Sequence, residues 1–333
     1  MFSEILTEFI IAGVSSFLLT VILSRLIIPI LVAKKAGQPI REEGPKSHFS
    51  KAGTPTMGGI AFILAIAITL TGITVWYAIA SKQNKLIPMA LTMALAVMNG
   101  MIGFIDDYRK LIKKQNEGLK AKQKFILQTI VAIIYVVLLK FIGHIDTAIH
   151  IPFTNIYVDL GIVYYIFAVI LIVGVVNSVN LTDGLDGLAS SITMIVAAFF
   201  GLVAFIGFGA IEPSLAMVSA VLIGAMIGFL IFNHHPAKVF MGDTGSLFLG
   251  GAVTGMAFII DDPMIILIAG GVYIFETISV MIQVISYKTT GKRVFKCSPI
   301  HHHFEACKWS EVKIVTVFSA VTLLLCVAAW FGI

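Results

Sequence analysis

Apolar runs long enough to cross a bilayer recur along the whole of this chain, and no other feature restricts its fold so strongly. A helix needs roughly 17 to 25 apolar residues to span the hydrocarbon layer. Such runs lie at about 9–33, 57–80, 87–105, 125–143, 160–179, 188–210, 214–232, 245–260, 263–287 and 312–332. Each must satisfy its own backbone, because the bilayer core offers no water to bare N–H and C=O groups. The runs predict an all-α polytopic membrane protein with about ten transmembrane helices, the eighth the shortest. The chain is 58% hydrophobic and only 12% charged, with a mean hydropathy of +0.99. A water-facing domain carries about twice that charge, which excludes a soluble domain and a disordered chain. Cys297, Cys307 and Cys326 cannot all pair, and Cys326 lies in an apolar run, so no disulfide scaffold is expected. Residues 1–333 read as a single integral-membrane domain. Met1 to Glu8 holds two glutamates and no Lys or Arg, unlike the positive start of a cleaved leader, so the first span is expected to be retained.

The 23 Lys and Arg residues are shared unevenly between the loops. The first loop has Lys34, Lys35, Arg41, Lys46 and Lys51; the third has Arg109, Lys110, Lys113, Lys114, Lys120, Lys122 and Lys124. The seventh has Lys238, and the ninth has Lys288, Lys292, Arg293, Lys296, Lys308 and Lys313. Even loops hold only Lys82, Lys85 and Lys140, while Arg25 sits within the first span. Positive loops stay cytoplasmic, so this 19 to 3 division predicts cytoplasmic odd loops and both termini outside. Weak alternation over Ile145 to Val158 suggests a small hairpin on the outer face. The net charge of +5 needs only anionic headgroups beside those loops, and no nucleic acid partner is expected.

Acidic residues are scarce, so their placement is informative. Asp106 and Asp107 end the third span, Asp183 and Asp186 lie in the fifth loop, and Asp243 lies in the seventh. His301, His302 and His303 lie in the ninth, so all these groups share one face. Five ionised carboxylates together repel one another unless a cation is present. Oxygen donors without organised Cys or His favour a hard ion, Mg2+ or Mn2+, usually held by one or two carboxylates and substrate phosphates. Gly184, Gly187, Gly242 and Gly245 allow backbone N–H groups close to a phosphate. With the nearby lysines, this surface suits a metal-bound diphosphate arriving from the cytoplasm.

Each feature also has a plainer reading. An Asp pair at a helix end is commonly a solvated terminus, although a C-terminal carboxylate opposes the helix dipole. Asn180 and Thr182 are ordinary capping residues, and the glycines ordinary turns. Consecutive histidines do not face one way on a helix, and neither they nor the flanking Cys297 and Cys307 show a zinc spacing. Glu276 and Gln283, seven apart in the ninth span, share a helix face. They are either functional groups or the polar lining of a bent helix.

Several motifs, in order along nearly the whole chain, carry a resemblance. They are Thr54-Pro-Thr-Met-Gly-Gly59, Asp106-Asp-Tyr-Arg-Lys110, Asn180-Leu-Thr-Asp-Gly-Leu-Asp-Gly-Leu-Ala189, Asn233 with Pro236-Ala-Lys-Val-Phe-Met-Gly-Asp-Thr-Gly-Ser246, and Pro299-Ile-His-His-His-Phe-Glu305. Together they resemble the phospho-N-acetylmuramoyl-pentapeptide-transferase family, within the polyprenyl-phosphate N-acetylhexosamine-1-phosphate transferases. The resemblance implies a ten-helix enzyme of the bacterial inner membrane, Mg2+-dependent, commonly a homodimer, with a broken ninth helix beside a lipid groove. It implies transfer of phospho-MurNAc-pentapeptide from UDP-MurNAc-pentapeptide to undecaprenyl phosphate, giving lipid I and UMP in peptidoglycan synthesis. By motif position, Asp243 is the implied metal ligand, with Asp106 and Asp107 at the reacting phosphates. His301, His302, His303 and Lys51 are implied near the diphosphate or sugar-peptide. Asn180, Asp183, Gly184, Asp186, Asn233 and Phe240 are implied at the nucleoside end, and Thr56 and Gln283 among substrate-binding residues. One position departs from the family pattern: Ser298 stands where alanine is expected.

Both substrates are anionic, so a bridging metal with Lys and His donors supplies the needed electrostatic stabilisation. The acceptor phosphate is mostly ionised at pH 7, which favours direct attack over a phospho-enzyme route. Two rivals remain at this stage. A sister enzyme would transfer GlcNAc-1-phosphate from UDP-GlcNAc to the same lipid, and a cation-coupled transporter would place acids near the bilayer midplane and show internal repeats.

Overall fold

The computed structural model of this chain describes residues 2–34, 51, 53–80, 86–113, 118–207 and 209–333. The loop charges Lys35, Arg41, Lys46, Lys82, Lys85 and Lys114 lie outside these residues, as does the side chain of Lys113. Helices α1 (Phe2–Ala33), α2 (Gly59–Ile79), α3 (Ile87–Lys113) and α4 (Ala121–Phe141) come first. Two short strands follow, β1 (Ala148–His150) and β2 (Tyr157–Asp159), then α5 (Val163–Thr182), α6 (Leu188–Ile206), α7 (Pro213–Asn233) and α8 (Gly242–Ile259). The chain ends with α9 (Ile266–Ala269), α10 (Gly271–Thr290), α11 (Ile300–Ala306) and α12 (Glu311–Trp330). The strands pair antiparallel, Ile149 opposite Val158, which is the hairpin foreseen between 145 and 158.

Among the described residues, eight helices are long and apolar enough to cross a membrane, and a bent pair makes nine. That pair, Pro263–Ala269 and Gly271–Thr290, meets at 79° where the apolar pattern reads as one run, and the break agrees with the implied broken ninth helix. The remaining expected span, the eighth, is α8. Asp243 and five glycines dilute its apolarity, yet it is buried without interruption from Thr244 to Ile259.

Glycines explain how α8 reaches that position. A Cβ on Gly103 of α3 would lie 2.1 Å from the carbonyl oxygen of Asp243, and one on Gly59 of α2 would lie 2.4 Å from the Cα of Gly245. On the other side of the bundle, a Cβ on Gly224 of α7 would meet the carbonyl of Gly13 at 2.0 Å. Lipid gives little hydrophobic drive between helices, so close backbone approach through small residues holds them together. The central helices α7 and α8 are thereby enclosed, while α1 and α12 turn much of their apolar surface outward.

One boundary differs from expectation. Asp106 and Asp107 do not end a helix, because α3 continues to Lys113. Lys110 explains the extension, since its ammonium lies 2.6 Å from Asp106 at i,i+4 and 3.9 Å from Asp107 at i,i+3. Such pairs stabilise a helix where apolar packing has stopped.

Candidate active site

Three carboxylates converge where the end of α3 meets the start of α8. Asp106, Asp107 and Asp243 each place an oxygen within 4.8 Å of the others. Gly242, in the left-handed region at φ +71°, turns the chain into α8, and a Cβ there would strike Asp107 and Thr56. Asp107 then accepts from the backbone N–H of Thr244 at 2.9 Å, from the Thr244 hydroxyl at 2.7 Å and from the N–H of Asp243 at 3.3 Å. It thus binds the positive end of the α8 dipole. Asp106 accepts from the N–H of Leu119 at 2.7 Å, drawing the third loop over the cluster.

Two lysines face Asp243. Lys110 and Lys124 lie 3.0 and 3.1 Å from its Oδ2, and Asn180 donates to its Oδ1 at 2.8 Å. Asn180 also donates to Ser246 at 2.8 Å and accepts from Lys124 at 3.2 Å. Asp183, which caps α5, lies beside this group. Burial, then the negative charges of Asp243, Asp107 and Asp186, raise its pKa well above the ordinary carboxylate value. Four carboxylates therefore share two ammonium groups, and the residual negative charge with its oxygen-only donors fits a hard divalent cation. The Thr56 hydroxyl, buried without a hydrogen-bond partner, lies at the same spot.

A second group joins four distant segments. Lys51 lies 2.7 Å from both Asp186 and Glu311. His235 Nδ1 is 3.0 Å from Asp186, which also accepts from the N–H of Ala237 at 3.0 Å. Burial disfavours the charge of Lys51, but the hydrogen bonds to Asp186 and Glu311 prevail and raise its pKa. Asp186, His235 and Glu311 are the other set among the described residues with metal-ligand proximity, although Lys51 already sits between the two carboxylates.

The other expected residues have contacts of their own. The ring of His301 abuts Gly184, where a Cβ would lie 2.2 Å from Nε2. His302 pairs with Glu305 at 2.5 Å, and His303 accepts from the N–H of Lys296 at 3.1 Å, with Cys307 3.7 Å from its Nε2. Asn233 is buried between Ser190 and the carbonyl of Val239, and Phe240 is tied through its backbone to Pro55 and Gly58. Gln283 bonds the backbone of Val294 and Phe295 through both ends of its amide, so its hydrogen bonds serve the loop after α10. Sequence reasoning did not single out Lys110, Lys124, Thr244, His235 or Glu311. Only Lys110 carried a signal, its i,i+4 spacing from Asp106.

With this geometry in place, comparison with known proteins is specific. Residues 89–261, more than half of the chain, match the glycosyl transferase family 4 model, and residues 51–63 match phospho-N-acetylmuramoyl-pentapeptide-transferase signature 1. The chain is 46% identical over 319 residues to a phospho-N-acetylmuramoyl-pentapeptide-transferase of Clostridium botulinum (strain Eklund 17B / Type B), covering 95% of this chain and 94% of that one. It is 47% identical over 312 residues to the enzyme so named in Bacillus subtilis (strain 168), covering 93% of each. Over 324 residues it is 47% identical to that of Clostridium perfringens (strain 13 / Type A), covering 97% and 98%. A site built on Asp106, Asp107 and Asp243, at this likeness over this length, leaves no other assignment: the chain belongs to the phospho-N-acetylmuramoyl-pentapeptide-transferases of glycosyl transferase family 4.

Proposed function

We propose that this protein transfers phospho-MurNAc-pentapeptide from UDP-MurNAc-pentapeptide to undecaprenyl phosphate, releasing UMP and forming lipid I. The convergence of Asp106, Asp107 and Asp243 on Lys110 and Lys124 at the start of α8 carries the reading. The donor diphosphate lies over this cluster, with Lys110 and Lys124 supplying positive charge. Asp243 and its neighbours Asp106 and Asp107 would hold Mg2+ (Mn2+ is the same donor chemistry), which when bound offsets charge on the diphosphate. An oxygen of the lipid phosphate attacks the sugar-side phosphorus, and the bond from that phosphorus to the bridging oxygen breaks. UMP leaves with the electron pair. The attacking phosphate is mostly dianionic at pH 7, so no strong base is needed and Asp106 orients it. The nucleoside end lies toward Asp183 and Asp186.

The uneven loop charges support a cytoplasmic site and both termini outside, and the family resemblance supports the bacterial inner membrane. The family resemblance adds a homodimer. The test uses purified protein in detergent with undecaprenyl phosphate and Mg2+, comparing UMP release from UDP-MurNAc-pentapeptide and from UDP-GlcNAc. Release from the muramyl donor alone, lost in Asp243→Ala, is the expected result. Release from UDP-GlcNAc alone would assign the sister reaction. A burst of UMP without acceptor lipid would replace direct attack by a phospho-enzyme.

A further inference from the structure

One acid used by neither carboxylate group lies inside a membrane-spanning helix. Glu276 of α10 and His301 of α11 are both fully buried. His301 Nδ1 is 3.0 Å from Glu276 Oε2, and the backbone N–H of His301 donates to the same oxygen at 3.5 Å. That amide belongs to the first turn of α11, whose N-cap residue is Pro299, so the carboxylate caps a helix with no side-chain cap of its own. Three polar atoms nevertheless lack an aligned hydrogen bond: Glu276 Oε1 and both ring nitrogens of His301. Buried polar groups are nearly always satisfied, and exceptions call for an explanation, a role in catalysis being one. The far edge of the ring meets Gly184, next to Asp183, whose carboxyl feels the charges of Asp243 and Asp107. The imidazole therefore stands between a carboxylate on one edge and the site loop on the other.

We propose that Glu276 is a positioning residue for His301, fixing the ring with its Nε2 edge against Gly184 so that the donor-binding loop is held in place. The proposal rests on the transferase reading above. Glu276 touches no substrate; a carboxylate behind an imidazole sets its tautomer and orientation. A carboxylate within a span is costly and is retained for function or pairing. Capping α11 requires only an acceptor oxygen, which glutamine keeps, so Glu276→Gln separates the two roles.

The experiment measures UMP release against donor concentration, with unfolding temperature, for Glu276→Gln, His301→Asn and their combination in detergent. Glu276→Gln is expected to hold the wild-type unfolding temperature and to keep donor KM within about threefold, while kcat falls about 10- to 100-fold. The double variant should be no slower than His301→Asn alone, because both changes remove one function. Gly184→Ala, which drives a Cβ onto the same ring edge, should lower kcat in the same range. Unchanged kcat in Glu276→Gln, or losses that multiply in the double variant, would overturn the proposal. A loss of kcat that tracks a lowered unfolding temperature would also overturn it. If Glu276→Gln does not fold, Glu276→Asp carries the same comparison with His301→Asn. Wild-type protein without UMP release counts against the transferase reading itself; active wild type with an unaffected Glu276→Gln counts against the positioning role alone.

Discussion

Asp106, Asp107 and Asp243 meet two lysines, whereas Asp186, Glu311 and His235 meet one, and the two groups treat charge in opposite ways. In the first, the Asp243 side chain keeps 20% of its surface exposed, and Asp183 adds a further acid beside it. In the second, Asp186 retains 2% and Glu311 10%, and Lys51, His235 and the Ala237 amide occupy their oxygens. An open group with surplus negative charge is equipped to take a cation and a substrate. The second group, with the Lys51 ammonium and the His235 imidazole set against two carboxylates, is nearer to charge balance and is equipped to hold four segments together. Proximity of carboxylates alone does not mark a reactive centre; what matters is whether their charge has already been answered.

The largest effect that can break this contrast is kinetic. Asp243→Asn should lower kcat for UMP release by at least about 100-fold with the unfolding temperature unchanged. Glu311→Gln should change kcat by less than about threefold, so equal losses in the two variants would erase the distinction. A smaller effect concerns stability. Lys51→Met leaves Asp186 and Glu311 facing each other without their ammonium group. Stranding buried carboxylates costs several kcal/mol when fully enclosed, and roughly 2 kcal/mol is expected at this partly exposed position. A thermal scan should show unfolding several degrees lower than in Asp243→Asn.

The smallest effect is a pH dependence. Asp183 keeps its proton longer in the folded chain than in the unfolded one, so folding is favoured below the ordinary carboxylate pKa, about 3.9. That advantage is lost as pH rises through the folded value. Asp183→Asn removes the titration. Its unfolding temperature relative to wild type should therefore climb as pH rises above about 4, and a constant difference would show that the site relieves this charge in another way.

Much of this was legible in the sequence, for physical reasons. Apolar length marks a span whatever surrounds it, so ten helices could be placed, and only α8 falls short because its glycines serve close packing at the expense of apolarity. Scarce acids in apolar surroundings stand out, so Asp106, Asp107, Asp183, Asp186 and Asp243 could be named. Lys124 and Glu311 could not, since a lysine or glutamate in a charged loop has no local mark that separates it from its neighbours. Their roles arise from contacts across 119 and 260 residues of chain. The end of α3 was misplaced because the apolar run stops at 105, while Lys110 carries the helix further.

The glycine seams of α8 bear on the route a polyprenyl chain takes to the reacting phosphates. With Gly103 against the Asp243 carbonyl and Gly59 against Gly245, neither α2 nor α3 can part from α8 without undoing backbone contact beside the carboxylate cluster. A long isoprenoid tail therefore does not thread between those helices. Apolar surface of the kind such a tail prefers is offered by α10, which bends by 79° from Pro263–Ala269 and turns Phe275, Ile278 and Met281 outward.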